Sequence, residues 1–126
     1  MYNFNKLIFC LLKFLPNKMS IVWPTDATLL LIRLRREYHA QFELSANRDH
    51  AGIWSNISLR IIIALNFVVT GRQCQIKWQA LKSGYENASR ILNENPDGYE
   101  IRSPNRYDRV FYQEMSDEFW LNTDNY

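Results

Sequence analysis

The sequence contains few of the residues that build disulfide-linked or catalytic scaffolds. It has two cysteines and four glycines in 126 residues. These do not cluster, which excludes a disulfide framework and a zinc site of regular cysteine spacing. It contains no phosphate-binding glycine loop, nucleophile elbow or HExxH helix. His39 and His50 have no further ligands at metal spacing, so we predict no metal, no cofactor and no enzyme.

A hydrophobic run long enough to span a bilayer is also missing. The N-terminal run 7-LIFCLLKFL-15 is broken by Lys13 and followed by Pro16, whereas a transmembrane helix needs about 20 residues. No small-residue cleavage site of a signal peptide follows it. We interpret residues 1–20 as a poorly defined hydrophobic extension. Because Met19 opens a domain-like pattern, our hypothesis is that residues 1–18 do not belong to the natural protein.

Charge of both signs is present but is unevenly distributed. Residues 1–92 hold 12 lysines and arginines against five acids, and residues 93–126 hold three against eight. The body therefore carries +7, the C-terminal part −5, and the whole chain +2. A basic body indicates a polyanionic partner, and the acidic end is the place where we expect any protein contact.

Two helices are predicted before residue 70. The first spans about Thr25 to Glu43, with Thr25 as its cap and with apolar residues at steps of three and four. The second follows Asp49 as a candidate cap. The run 61-IIIALNFVV-69 is interpreted either as the end of this helix with a buried connection or as a short strand. Off the apolar face of the first helix lie three arginines, either solvated or contacting phosphates: Arg33, Arg35 and Arg36.

The third predicted helix begins at a capping box, Thr70-x-x-Gln73, and runs to about Asn93. At 100° per residue, one side collects an apolar seam and the opposite side collects polar residues. The turn 95-NPDG-98 then precedes a fourth helix, in which Ser103 can cap and Pro104 can take the first position. Its apolar stripe is Tyr107, Val110, Phe111 and Met115, and a final hydrophobic group is Phe119, Trp120 and Leu121.

The residues opposite the seam have the chemistry that base edges need. Arginine can bond guanine, glutamine can bond adenine, and an apolar side chain can touch a thymine methyl group. The candidate base-contacting residues are Arg72, Ile76, Gln79 and Ser83. The candidate DNA-backbone contacts are Gln73, Gln75, Lys77, Lys82 and Arg90. An ordinary solvated face, with Ile76 packed on another element, stays open as the alternative.

Three motifs resemble the Myb/SANT-like DNA-binding domain of the trihelix type: 23-WPTDATLLLIRL-34, 54-WSNIS-58 and 70-TGRQCQIKWQALKSGY-85. The resemblance covers roughly residues 21–121. It implies an all-α, helix-turn-helix-like bundle of three helices over 21–93, and a turn and fourth amphipathic helix within 94–121, followed by a tail at 122–126. The expected core is Trp23, Leu34, Trp54, Ile57, Cys74, Trp78, Leu81 and Tyr85.

Two functions follow from these observations. The leading prediction is sequence-specific binding of double-stranded DNA through the third helix in the major groove, as a nuclear transcription regulator. One small module buries only about 600–1,000 Å², so tight binding calls for a dimer or a partner. The alternative is a SANT-type protein-interaction module in a chromatin or transposon-derived complex. The third helix favours DNA, because residues 70–92 hold four basic residues against one acid.

Overall fold

The computed structural model describes residues 21–94 and 106–121. Within these ranges the chain is all α-helical with two short 3₁₀ turns, and no strand is present there. The helices are α1 Thr25–Glu37, α2 His39–Leu44, α3 His50–Leu65, α4 Gly71–Glu94 and α5 Arg106–Glu114. None of the described helices is long and apolar enough to cross a membrane. The predictions for residues 1–20, for the turn and caps at 95–105, for the Tyr107 side chain and for the tail at 122–126 lie outside the described residues.

The predicted first helix is two helices, so the single span from Thr25 to Glu43 is wrong. Tyr38 interrupts it with φ −89° and ψ 4°, and its N–H is bonded to the carbonyls of Leu34 and Arg36 in a tight turn. Apolar periodicity does not detect this break, because Leu34 and Phe42 keep steps of four on either side of Tyr38. The helix starts at Thr25 as predicted, but the cap position is Pro24 rather than Thr25, and the Pro24 carbonyl accepts the N–H of Thr28 at 3.0 Å.

Helix α3 begins after a 3₁₀ turn, Asn47–Asp49, and ends at Asn66. Asp49 takes the cap position without a side-chain capping bond. Asn66 adopts the left-handed conformation, with φ 53°, which asparagine tolerates at helix ends. Of the two interpretations of residues 61–69, the helix end followed by a connection is confirmed, although the connection is only partly buried, with Phe67 and Val68 half-buried. The connection is anchored by Val69, which is fully buried.

The core lies where α3 packs against α1 and α4, and α5 closes the bundle by contacting both α1 and α4. Trp23 and Leu81, both expected in the core, are partly buried and pack against it. Phe119 stacks on Trp78 with ring centroids 5.5 Å apart, so the C-terminal segment covers the seam of α4. Six of the expected core residues are buried: Leu34, Trp54, Ile57, Cys74, Trp78 and Tyr85.

Candidate nucleic-acid interface

The start of α4 is held by the predicted capping box, which the structure confirms. The N–H of Gln73 donates to Thr70 Oγ1 at 3.0 Å, and the N–H of Thr70 donates to Gln73 Oε1 at 2.9 Å. This exchange satisfies two backbone groups that a helix start otherwise leaves unpaired. It also buries the Gln73 side chain, which is 8% exposed. Gln73 is therefore withdrawn from the DNA-backbone candidates, because its amide is already used inside the fold.

Gly71 brings the start of α4 directly against the backbone of α3. A Cβ atom at this position would lie 2.9 Å from the backbone nitrogen of Ser55 and 3.0 Å from the carbonyl carbon of Trp54. Those distances are shorter than ordinary van der Waals contact, so only glycine fits here without a shift of one helix. Gly71 is not among the residues predicted from the sequence. Its position inside the capping box was the available signal.

The seam of α4 faces the bundle, and it fixes which side of the helix faces outward. Cys74, Trp78 and Tyr85 are buried, and Leu81 is half-buried. Burial raises the pKa of the Cys74 thiol to about 12, so the thiol is neutral and unreactive in the folded chain. The Tyr85 hydroxyl donates to Glu118 Oε1 at 2.8 Å, which ties the middle of α4 to the C-terminal segment.

The outward face of α4 consists of the residues predicted to contact bases. Arg72, Gln79 and Ser83 are exposed, and Ile76 is half-buried. Arg72 donates from Nη1 to Gln75 Oε1 at 3.2 Å, which leaves the other nitrogens of its guanidinium available to a ligand. The exposed donors and acceptors thus lie on one stripe, about 180° from the buried seam. Ile76 borders the stripe and contributes only part of its side chain.

The remaining DNA-backbone candidates lie around this stripe. Gln75, Lys77 and Lys82 are half-buried, and Arg90 is exposed. Burial lowers the pKa of Lys77. Its ammonium is therefore partly desolvated, and a nearby phosphate would act in the opposite direction by stabilising the charged form. Arg90 is already engaged, since it donates to Asn87 Oδ1 at 2.7 Å and lies 3.6 Å from Glu94 Oε2.

The arginines of α1 all have partners within the protein, but only Arg35 is buried, and the Arg33 side chain stays 60% exposed, as its solvated interpretation predicts. Arg33 pairs with Glu114 at 3.1 Å. Arg36 pairs with Glu114 at 3.3 Å and with Asp117 at 2.9 Å, and it also donates to the Glu114 carbonyl. Its guanidinium lies 5.0 Å from the Phe119 ring centre. These pairs join residues about 80 positions apart, so local sequence patterns give no signal for them.

Arg35 differs from its neighbours because it points into the core. Its guanidinium lies 4.1 Å from the Phe42 ring centre and 5.5 Å from that of Trp78. Its Nη1 donates to His39 Nδ1 at 3.0 Å. Since arginine can only donate, this bond requires that Nδ1 carry no proton. Arg35 is therefore a buried structural cation with no path to a phosphate.

The acidic C-terminal helix is used within the molecule. Glu114 and Asp117 neutralise Arg33 and Arg36, so these two carboxylates are not free for a protein partner. Burial raises the pKa of Glu114, but hydrogen bonds from both arginines outweigh this effect and leave the pKa below its ordinary value. Among residues 21–94 and 106–121, no group of three or more possible ligands that could hold a metal ion is present.

The outward stripe on a helix of an all-α bundle agrees with the comparison with known families. The model of the Myb/SANT-like DNA-binding domain matches residues 20–118. The chain belongs to this family. Comparison with curated proteins and with solved structures gave no significant match. Membership in this domain family supports a DNA partner and accounts for the helical bundle.

Proposed function

We propose that this Myb/SANT-like domain binds double-stranded DNA in a sequence-specific manner by placing α4 in the major groove, as a nuclear transcription regulator of the trihelix type. The observation that carries the proposal is the outward stripe of Arg72, Gln79 and Ser83, which lies opposite a seam with three buried residues, Cys74, Trp78 and Tyr85. A helix held so firmly on one side can present the other side to a groove without losing core contacts.

The chemistry of the stripe supports selectivity as well as attraction. Arg72 can form two bonds with guanine, and Gln79 can form two with adenine, each worth roughly 1–3 kcal/mol of discrimination. Lys77 and Lys82 lie to either side of the seam and can reach the phosphates on the two walls of the groove. Because a single module buries only about 600–1,000 Å², selective binding in a cell calls for a second copy or a partner.

The experiment is a binding selection on a randomised DNA library with the variant Arg72→Ala/Gln79→Ala. We expect the preference among sequences to disappear while the thermal melting curve stays close to that of the wild type. The matched control is Arg60→Ala/Gln41→Ala, which removes the same two residue types from exposed positions on α3 and α2. A library profile that is unchanged in the α4 variant would remove these residues from base contact.

Salt dependence provides the second measurement. Each neutralised phosphate contributes about −0.9 to the slope of log K against log salt, so four contacts give about −3.6. The alternative of a protein-interaction module predicts no such dependence. A wild-type domain that shows no salt-dependent affinity for any duplex refutes the proposed function.

A further inference from the structure

Helix α4 changes the sign of its charge along its length. Its first part, residues 71–83, carries Arg72, Lys77 and Lys82 and no acid. Its second part, residues 84–94, carries Glu86 and Glu94 against Arg90 alone. The two parts are continuous in one helix, so a duplex lying along α4 would meet an attractive half and then a repulsive half.

The contrast between the two parts of α4 can be measured by comparing Arg72 and Arg90, which are the same residue type in the two different parts. They are 18 residues apart, which is five helical turns, and they project in the same direction. Arg72 bonds only a neutral amide, that of Gln75. Arg90 bonds Asn87 and lies beside the carboxylate of Glu94. A phosphate at Arg90 would have to approach a carboxylate that already neutralises it.

The C-terminal segment places a further negative charge beside the second part of α4. An open groove runs beside the end of α4, and three carboxylates line it, those of Glu86, Glu94 and Glu118. Arg90 is the one cation on its lining. Within the described residues Glu86 has no ion-pair partner, and it is exposed one helical turn beyond Ser83, beside the outward stripe. Like charges of this kind raise the energy of a phosphate that comes within a Debye length, about 8 Å at physiological salt.

We propose that DNA is bound only by the first half of α4, Gly71–Ser83, because Glu94 neutralises Arg90 and because Glu86 and Glu118 exclude phosphates from the second half. This inference rests on the proposed function and adds to it the extent of the contact and the residues that limit it. The contact covers 13 residues, about 20 Å of helix. Arg90 is removed from the DNA-backbone candidates, and the two lysines Lys77 and Lys82 remain as the charged phosphate contacts. The expected salt slope is then about −1.8.

The test compares Arg72→Ala and Arg90→Ala in the full chain, using a duplex chosen by selection with the wild type and a salt titration for each variant. Arg72→Ala should weaken binding of the selected duplex by roughly tenfold and relax its preference at one base pair, because the guanine contact is lost. Arg90→Ala should change the affinity by less than about twofold and leave the slope unchanged, since its charge is cancelled within the helix. Both positions are exposed, and melting curves check the fold of each variant.

Glu86→Gln is the complementary variant, because it removes charge and keeps size. It should raise the affinity for a duplex of random sequence by roughly threefold at low salt, since a repulsive charge is removed. If Glu86 instead accepts a bond from a cytosine amino group, the variant binds the selected duplex more weakly and loses preference at one base pair. That result overturns the inference.

Two failures are distinguishable. If the wild type binds DNA but Arg90→Ala weakens binding as much as Arg72→Ala does, the limit at Ser83 is wrong and the proposed function stands. If the wild type binds no duplex at any salt concentration, both are refuted.

Discussion

Replacing Gly71 with alanine tests the packing that places α4. The added Cβ would lie 2.9 Å from the Ser55 nitrogen and 3.0 Å from the Trp54 carbonyl carbon, and both are backbone atoms of α3 that cannot rotate away. Relief therefore requires the two helices to separate by several tenths of an ångström along a tightly packed contact. Overpacking of this kind costs about 1–3 kcal/mol. The gain in helix propensity is small, because Gly71 is the first residue of the helix.

The matched control is the same substitution at Gly84, in the middle of the same helix. A Cβ there meets nothing within 4 Å, and the position is exposed. Gly84→Ala should stabilise the protein by about 0.5–1 kcal/mol, because alanine is favoured over glycine inside a helix. The two variants are thus expected to have opposite signs although their chemistry is identical.

Urea unfolding monitored by circular dichroism measures both changes in the free energy of unfolding. Thermal melting gives a second estimate, in which Gly71→Ala lowers the midpoint by roughly 4–10 °C. Gly71→Ala with a stability equal to or above that of the wild type would refute the close contact between α3 and α4. The orientation of the outward stripe would then lose its structural support.

Two further predictions concern titratable groups of the fold. Burial raises the pKa of Glu114, but the hydrogen bonds from Arg33 and Arg36 outweigh it and lower the pKa in the folded state. The stabilisation from Glu114 is therefore complete above the ordinary pKa of 4.5 and is lost as pH falls through the folded pKa. Glu114→Gln should be less stable at pH 7 and should flatten the stability profile below about pH 4.5, and a profile parallel to that of the wild type would contradict this. Because burial raises the pKa of Cys74 to about 12, a Cys10→Ser variant should react with a thiol reagent at pH 8 only after unfolding, and fast labelling of the native protein would show that the seam opens.

The elements that depend on local chemistry were predictable from the sequence. The capping box at Thr70 and Gln73 needs only two side chains three positions apart, and both of its bonds form as expected. The outward position of Arg72 and Gln79 follows from the helical period once the seam is recognised. The break at Tyr38 was not predictable, because a change of two backbone dihedrals leaves the apolar spacing intact.

Contacts between distant segments account for the other errors. Glu114 and Asp117 belong to the acidic end of the sequence, and Arg33 and Arg36 to its basic body. From the composition we expected the basic body to bind a polyanion and the acidic end to bind a protein. In the fold, these acidic and basic residues instead pair with each other. Only the placement of α5 beside α1 reveals this, and no local pattern in either segment encodes it.

Because these arginines are paired within the protein, the net charge of the basic body overstates the charge that is available to bind DNA. Arg33, Arg35 and Arg36 supply three of the positive charges of the basic body, yet each is engaged within the protein. Within the described part of the chain, the cations of α4 without an acidic partner are Arg72, Lys77 and Lys82, so any electrostatic attraction to DNA would be weaker than the value of +7 indicates.

If DNA is bound as we propose, two phosphate contacts give a low non-specific affinity at physiological salt. Discrimination between sites would then depend on base contacts of Arg72, Gln79 and Ser83, and on a neighbouring copy or partner that adds a second contact to the same duplex. A second module tethered nearby raises the effective concentration without any new surface on α4. A weakly charged face is suited to this arrangement, because it limits retention at unrelated sequences while two linked modules bind the correct one.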